Sequence, residues 1–231
     1  KLAGQTAIYG IPTIVGRFLN YLLVPIYTYS LTADKYGVVS ELYAYVSFLM
    51  ILLTYGMETA FFRFSQTHND KKTVFNTAML SLFSTTTLFL LITMSNLGAI
   101  SHLMGYSEHK NYITMFLFII ALDALRAIPY AKLRQENKAA RFALIKSIDI
   151  FSNIAFNLFF FFVIKPEDLV QCIFLSNLLA SAIAMLMLLP EYIQFRLKID
   201  FKLLKKMLLY GLPVMIGGLA GMINETFDRI A

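Results

Sequence analysis

The sequence predicts an all-α, polytopic integral membrane protein. Hydrophobic residues make up 58% of the 231 positions and charged residues only 15%, whereas a soluble domain lies nearer half and a quarter. The apolar residues fall into continuous runs that lack the alternation of a barrel strand, so helices are the spanning form. The segments between the runs alternate between strongly and weakly basic. Composition, run length and loop charge all point the same way.

A helix needs roughly 20 apolar residues to cross the hydrocarbon core. Six full spans follow, at about 6–30, 39–64, 74–97, 111–131, 142–164 and 170–190, and a seventh starts near 207. Span 1 opens on Tyr9-Gly10-Ile11-Pro12 with Gly16, and its next residue is Arg17. Span 2 carries Glu58 and, near its end, Arg63; span 3 has no charge within its apolar run. Span 4 holds Asp123 and Arg126, and span 5 holds Lys146, Asp149, Asn153 and Asn157. Span 7 opens on Tyr210-Gly211-Leu212-Pro213 with Gly217, an almost literal repeat of the start of span 1. Gly218 and Gly221 follow, then Asn224, Glu225, Asp228 and Arg229.

Loop charge sets the orientation. The stretches 65–73, 132–141 and 191–206 together hold eleven Lys and Arg, while the loops on the other side hold only Lys35, Lys110 and Lys165. The rich side is expected to be cytoplasmic, and the N-terminus with it. Both copies of the repeat then enter the membrane in the same direction, as in a parallel internal duplication. This distribution explains the net charge of +6 without a nucleic-acid partner. The basic, partly apolar segment 191–206 reads either as a connector lying on the anionic leaflet or as a simple basic loop, with Asp200 a suitable N-cap for the following helix.

Charges within a span cost at least a few kcal/mol on insertion scales and face protein or a wet cavity. Arg17 falls near mid-membrane at about 1.5 Å rise per residue, with no acid three or four positions away. It is expected either to contact substrate or to complete a buried ion pair. Asp123 and Arg126 share a helix face, as do Lys146 and Asp149, so the four are able to form one neutral cluster. Asn153 and Asn157 extend the span 5 face into a long polar stripe, which suits a water-lined cavity or interhelical hydrogen bonding. Glu58 is a candidate partner for Arg17 or a proton or sodium site, and Arg63 is expected to snorkel. Gly217, Gly218 and Gly221 allow either tight packing or bending.

Several chemistries find no support. There is no glycine-rich phosphate loop, and His68, His102 and His109 have no metal-ligand spacing. No cofactor is expected, and no soluble segment is long enough for a catalytic domain, so enzymatic activity is not expected. The single Cys172 excludes an internal disulfide. Arg17 and the length of the first apolar run argue against a signal peptide. The chain begins without Met and ends inside an apolar segment, so a longer native protein is expected.

The Tyr-Gly-Ile-Pro opening of span 1, Tyr36-Gly37 after the first outer loop, and Tyr210-Gly211-Leu212-Pro213…Gly217-Gly218…Ile223-Asn224…Asp228-Arg229 resemble the polysaccharide-biosynthesis flippases. These are the Wzx-type O-antigen and repeat-unit exporters of the MOP superfamily, which also holds the MATE drug exporters. The resemblance implies a MOP/MATE-like six-helix N-terminal lobe over residues 1–190, a cytoplasmic amphipathic connector over 191–206, and the start of a second lobe over 207–231. It implies a transporter in the bacterial inner membrane. The cargo would be a lipid-linked oligosaccharide on undecaprenyl pyrophosphate, flipped to the periplasmic leaflet for lipopolysaccharide or other surface polysaccharide.

The candidate substrate-binding residues are Arg17, Arg126, Lys146, Asn153 and Asn157, because guanidinium and ammonium groups suit pyrophosphate oxygens. Glu58, Asp123 and Asp149 are candidates for coupling to H+ or Na+, and Gly217, Gly218 and Gly221 for a hinge. Membrane lipids and polysaccharide polymerase or assembly proteins are the other expected partners. The alternatives are a MATE-type cation-coupled multidrug exporter and a membrane assembly subunit without transport of its own.

Overall fold

The structure, a computed structural model, describes residues 23–227, with side chains as far as Ile223. Arg17, the first copy of the repeat, and the polar side chains from Asn224 to Arg229 lie outside the described residues. The described chain is helical throughout, without strands. Helix α1 covers 23–30. It is followed by α2 (Ala33–Thr54), α3 (Met57–Thr67), α4 (Lys71–Ser95), α5 (Leu97–Leu103) and α6 (Lys110–Gln135). Then come α7 (Ala139–Leu158) with a π-helical end (Phe159–Ile164), α8 (Leu169–Met187), α9 (Leu189–Ile193) and α10 (Phe201–Phe227). Six of these units, taking α2 with α3, are long and apolar enough to cross a membrane. They correspond to spans 2 to 7, and the protein is a multi-pass membrane protein.

Most helices outrun their apolar segments, because a helix continues into the interface where its polar residues are solvated. Span 6 is the exception: α8 stops at Met187, and Pro190 in the first turn of α9 prevents a straight continuation. Asp70 starts α4, its carboxylate accepting from the amides of Lys72 (2.9 Å) and Thr73 (3.3 Å) and from the Thr73 hydroxyl (2.7 Å). Those bonds, the Thr73 hydroxyl first, hold the Asp70 carboxyl below the ordinary carboxylate range. Its folded pKa lies below the unfolded one, so the cap's contribution is complete above the unfolded value and fades as pH falls through the folded one. Replacing Asp70 with alanine is expected to fray this turn, read as faster amide exchange at Lys72 and Thr73; unchanged exchange would contradict the cap. Asp200 opens α10 as anticipated, accepting from the Leu203 amide at 3.0 Å.

Helix α6 is the axis of the bundle. Its most apolar stretch is 61% buried, against 11% for α2–α3, for α7 and for α10. It packs on α4 and α8, while α7 packs on α8 and α10 packs on α3. Two apolar clusters stack along it. One, toward the loops expected to be outer, joins Leu42, Ile113, Phe116, Ile120 and Phe174. The other, toward the basic loops, joins Met57, Phe61, Phe75, Met79 and Ile128 with Met207 of α10. Asp123 and Arg126 fall between the two.

Span 2 is interrupted. Tyr55 (φ 36°) and Gly56 (φ 69°) both take left-handed backbone angles and separate α2 from α3. Such a break is tolerated within a bilayer only where protein covers it. Here the Tyr55 hydroxyl meets Ser81 of α4 at 2.6 Å, and Gly211 of α10 lies directly on the break. A Cβ on Gly211 would sit 2.9 Å from the Tyr55 carbonyl oxygen, and one on Gly56 would collide with the Gly211 carbonyl. The second copy of the Tyr-Gly-Leu-Pro repeat is therefore the piece that docks onto the broken span.

The glycines expected to allow tight packing or bending lie further along α10. Helix α10 runs helically through Gly217, Gly218 and Gly221. A Cβ on Gly217 or Gly221 meets nothing within 4 Å among the described residues, and one on Gly218 makes an ordinary contact with Ile51. Tight glycine packing belongs to Gly211, one turn and more before them.

Segment 191–206 is fastened to the lobe. The buried Glu191 meets Arg141 at 3.1 Å, and Lys132 donates to Gln194 at 2.6 Å. The amides of Arg196 and Asp200 donate to Asn76 and Thr77 of α4 at 3.0 and 3.2 Å. Its last third already belongs to α10.

Candidate functional site

Helix α6 presents Asp123, Arg126, Tyr130 and Arg134 at spacings of three, four and four, which places them on one face. Helix α7 opposes it with Phe142, Lys146 and Asp149 at spacings of four and three. Met50 of α2 and Glu58 of α3 close the third side. Between them lies a cavity of about 310 Å3 whose walls include Glu58, Asp123, Arg126, Tyr130, Arg134 and Lys146.

The charges in and around this cavity form one network. Arg126 is paired with Asp123 on its own helix and lies 3.3 Å from Asp149 across the gap to α7. Lys146 reaches the same Asp149 oxygen at 3.4 Å. The four charges thus come together as the spacing suggested. Arg126 also donates to Ser181 of α8 at 3.0 Å, and Ser181 donates to Asp123 at 3.0 Å. Asn177, one turn before Ser181, donates to the Tyr43 hydroxyl of α2 at 2.8 Å. Neither Ser181, Asn177 nor Tyr43 stood out in the sequence, since neutral polar residues in a span carry no strong signal.

Arg134 was also passed over, because it reads as one more basic residue of a cytoplasmic loop. It is instead the last member of the α6 face and pairs with Glu58. The spacing 123-126-130-134 could have revealed it. Its guanidinium carbon also lies 5.1 Å from the Phe62 ring and 5.5 Å from the Phe142 ring. Glu58 therefore has a described partner in Arg134, while the Arg17 considered from sequence lies outside the described residues. Arg63, expected to snorkel, is exposed and lies 4.3 Å from the centre of the Tyr210 ring.

The rest of the α7 stripe lies beyond this network. Asn157 is buried, donates to the carbonyl and side-chain oxygens of Asn153 at 2.8 and 2.9 Å, and accepts from Tyr27 of α1 at 2.9 Å. Asn153 and Asn157 are absent from the cavity wall. Asn157 ties α7 to α1, and Asn153 holds Asn157 from its own helix.

Two features fit this site to an anion with several oxygens. Arg126 is 4% exposed, and its Nη1 faces Asp149 at 3.3 Å, yet among the described residues its Nε has no hydrogen-bond partner, nor do the buried Nε of Arg134 and the Tyr130 hydroxyl. Buried donors without acceptors are costly unless something satisfies them. All three residues line the cavity. The three carboxylates present, Glu58, Asp123 and Asp149, each already face a cation, so the resting network is electrically balanced.

A family described as "Polysaccharide biosynthesis protein" matches residues 2–231. Among solved structures, the chain is similar to the outward-facing conformation of a multidrug resistance MATE family transporter of the MOP superfamily, with a TM-score of 0.73 at 20% identity. That likeness covers 96% of this chain and 55% of the other, so the chain spans little more than half of that structure. At this identity it establishes the fold alone, a bundle of membrane-spanning helices arranged as in that structure. No curated protein matches the chain.

Proposed function

The chain belongs to the polysaccharide biosynthesis protein family, and from that premise we propose that it forms the N-terminal lobe of an alternating-access lipid flippase. The cargo in this reading is an oligosaccharide on undecaprenyl pyrophosphate, carried from the cytoplasmic to the periplasmic leaflet of the bacterial inner membrane. The observation that carries the reading is the gathering of Arg126 and Arg134 in the wall of one cavity. A pyrophosphate supplies several oxygens for guanidinium donors, and charge-assisted bonds to it are stronger than neutral ones. Lys146 adds a third cation, and Arg17, outside the described residues, is proposed to add a fourth.

The network also suggests how binding and ion coupling are joined. Phosphate oxygens entering the cavity compete with Asp123, Asp149 and Glu58 for the same cations. These three carboxylates are therefore proposed as the groups that couple substrate binding to H+ or Na+. Gly217, Gly218 and Gly221, whose faces are open or lightly packed, are proposed to let α10 bend as the lobes rock.

Flipping of a labelled lipid-linked oligosaccharide by the full-length protein in proteoliposomes tests this. Arg126→Lys and Arg134→Lys keep the charge but lose the forked donor set. Each is expected to slow flipping about tenfold or more, the equivalent of one charge-assisted hydrogen bond. Wild-type rates in both folded variants would sink the assignment. No flipping by the wild-type protein would favour an assembly subunit, and export of organic cations instead would favour a drug exporter.

A further inference from the structure

A second cavity, of about 900 Å3, lies on the face that loop charge assigns to the cytoplasm, away from the transmembrane network. Its walls carry five cations, Lys71, Lys72, Lys132, Arg196 and Lys198, against two carboxylates, Asp70 and Glu136. Both acids are engaged elsewhere: Asp70 caps α4, and Glu136 meets Lys138 at 2.6 Å. Among the described residues Lys71, Lys72, Arg196 and Lys198 have no carboxylate within 4.0 Å. Lys132 forms the floor. It is 7% exposed, 4.4 Å from the Phe75 ring centre, with Glu136 at a long 3.9 Å.

We propose that this cavity is a binding site for a phosphate-bearing anion, separate from whatever the transmembrane cavity carries. Like charges are not gathered around a concavity without cost, and a bound anion removes the mutual repulsion. The volume is in the range of ligand sites, and clusters of Lys and Arg at the cytoplasmic interface attract anionic headgroups. The amides at the start of α4 are already taken by Asp70, so the side-chain cations do the recognising.

The two halves of the site belong to different parts of the chain. Lys71 and Lys72 start α4 inside the lobe, whereas Arg196 and Lys198 sit on the irregular segment that leads from α9 into α10. A bridging anion would add charge-assisted bonds to the two amide contacts that already hold this segment to Asn76 and Thr77. Binding therefore ties the approach to α10 against the lobe, and with it the helix whose Gly211 covers the break in span 2.

The test uses full-length protein in nanodiscs. Preferential retention of phosphatidylglycerol over phosphatidylcholine, read by native mass spectrometry, identifies a lipid headgroup as the source. Binding of inorganic pyrophosphate in phosphatidylcholine discs identifies a soluble one. Lys71→Gln with Lys72→Gln, and separately Arg196→Gln with Lys198→Gln, are each expected to weaken the retained ligand roughly tenfold or more. Lys35→Gln with Lys110→Gln removes equal charge on the opposite face and is expected to leave binding unchanged. The proposal is overturned if neither probe binds, if both cavity pairs bind as wild type does, or if the opposite-face pair weakens binding equally.

Discussion

Replacing Gly56 with alanine is expected to destabilise the protein by about 2–5 kcal/mol, the largest effect of any glycine-to-alanine change in the described chain. Two costs combine. Left-handed backbone is unfavourable by about 1–2 kcal/mol for a residue with a Cβ, and forcing a methyl into a packed contact costs about 1–3 kcal/mol. Neither has an easy escape, because the obstacle is the backbone carbonyl of Gly211 rather than the end of a flexible side chain. The measurement is the melting temperature of the purified full-length protein, with Gly217→Ala as comparison. A Cβ at Gly217 meets nothing within 4 Å, so that variant should melt near wild type. Equal melting of wild type and Gly56→Ala would show that the break and its Gly211 cover do not exist as described.

Removing Arg126 is the second large effect, expected at about 3–5 kcal/mol because it deletes a buried ion pair and strands the half-buried Asp123. Arg126→Met leaves Asp149 with Lys146, but Asp123 keeps only the Ser181 hydroxyl. The double variant Arg126→Met, Asp123→Asn takes the stranded charge away as well. It should recover much of the lost stability, giving a coupling of about 1–3 kcal/mol. The double variant should still fail to flip substrate at the wild-type rate, which separates the structural part of Arg126 from its proposed contact with phosphate. Arg126→Met melting like wild type would remove the network from any account of stability. Additive effects of the two substitutions would remove the pairing.

The candidate site was legible in part. Asp123 with Arg126 and Lys146 with Asp149 could be recognised because i, i+3 spacing fixes which side chains share a helix face. That the two pairs face each other follows from similar depth on adjacent spans. Arg134 escaped because charge alone cannot separate a loop lysine or arginine from the last member of a buried face. Glu58 was visible as an expensive charge, but its partner lies 76 positions away. Asn153 and Asn157 were visible as a stripe, yet whether a stripe meets water or another helix depends on what packs there. It meets Tyr27. The basic cavity was read as loop charge alone, because its shape exists only once 194–200 is fastened to α4.

What the amino-acid sequence determines by itself is the number of spans, their approximate limits and the face on which the basic loops lie. These follow from how each short segment partitions between water and hydrocarbon, a property of local composition. The Tyr-Gly-x-Pro repeat is likewise read without any coordinates, and it predicts a parallel duplication. Only the tertiary structure decides what the second copy does: Gly211 covers a broken span, whose break lies at Tyr55–Gly56. It also decides which charges meet. Those outcomes depend on the rotation of each helix about its axis and on backbone approaches of a few ångströms, and no one-dimensional pattern encodes either.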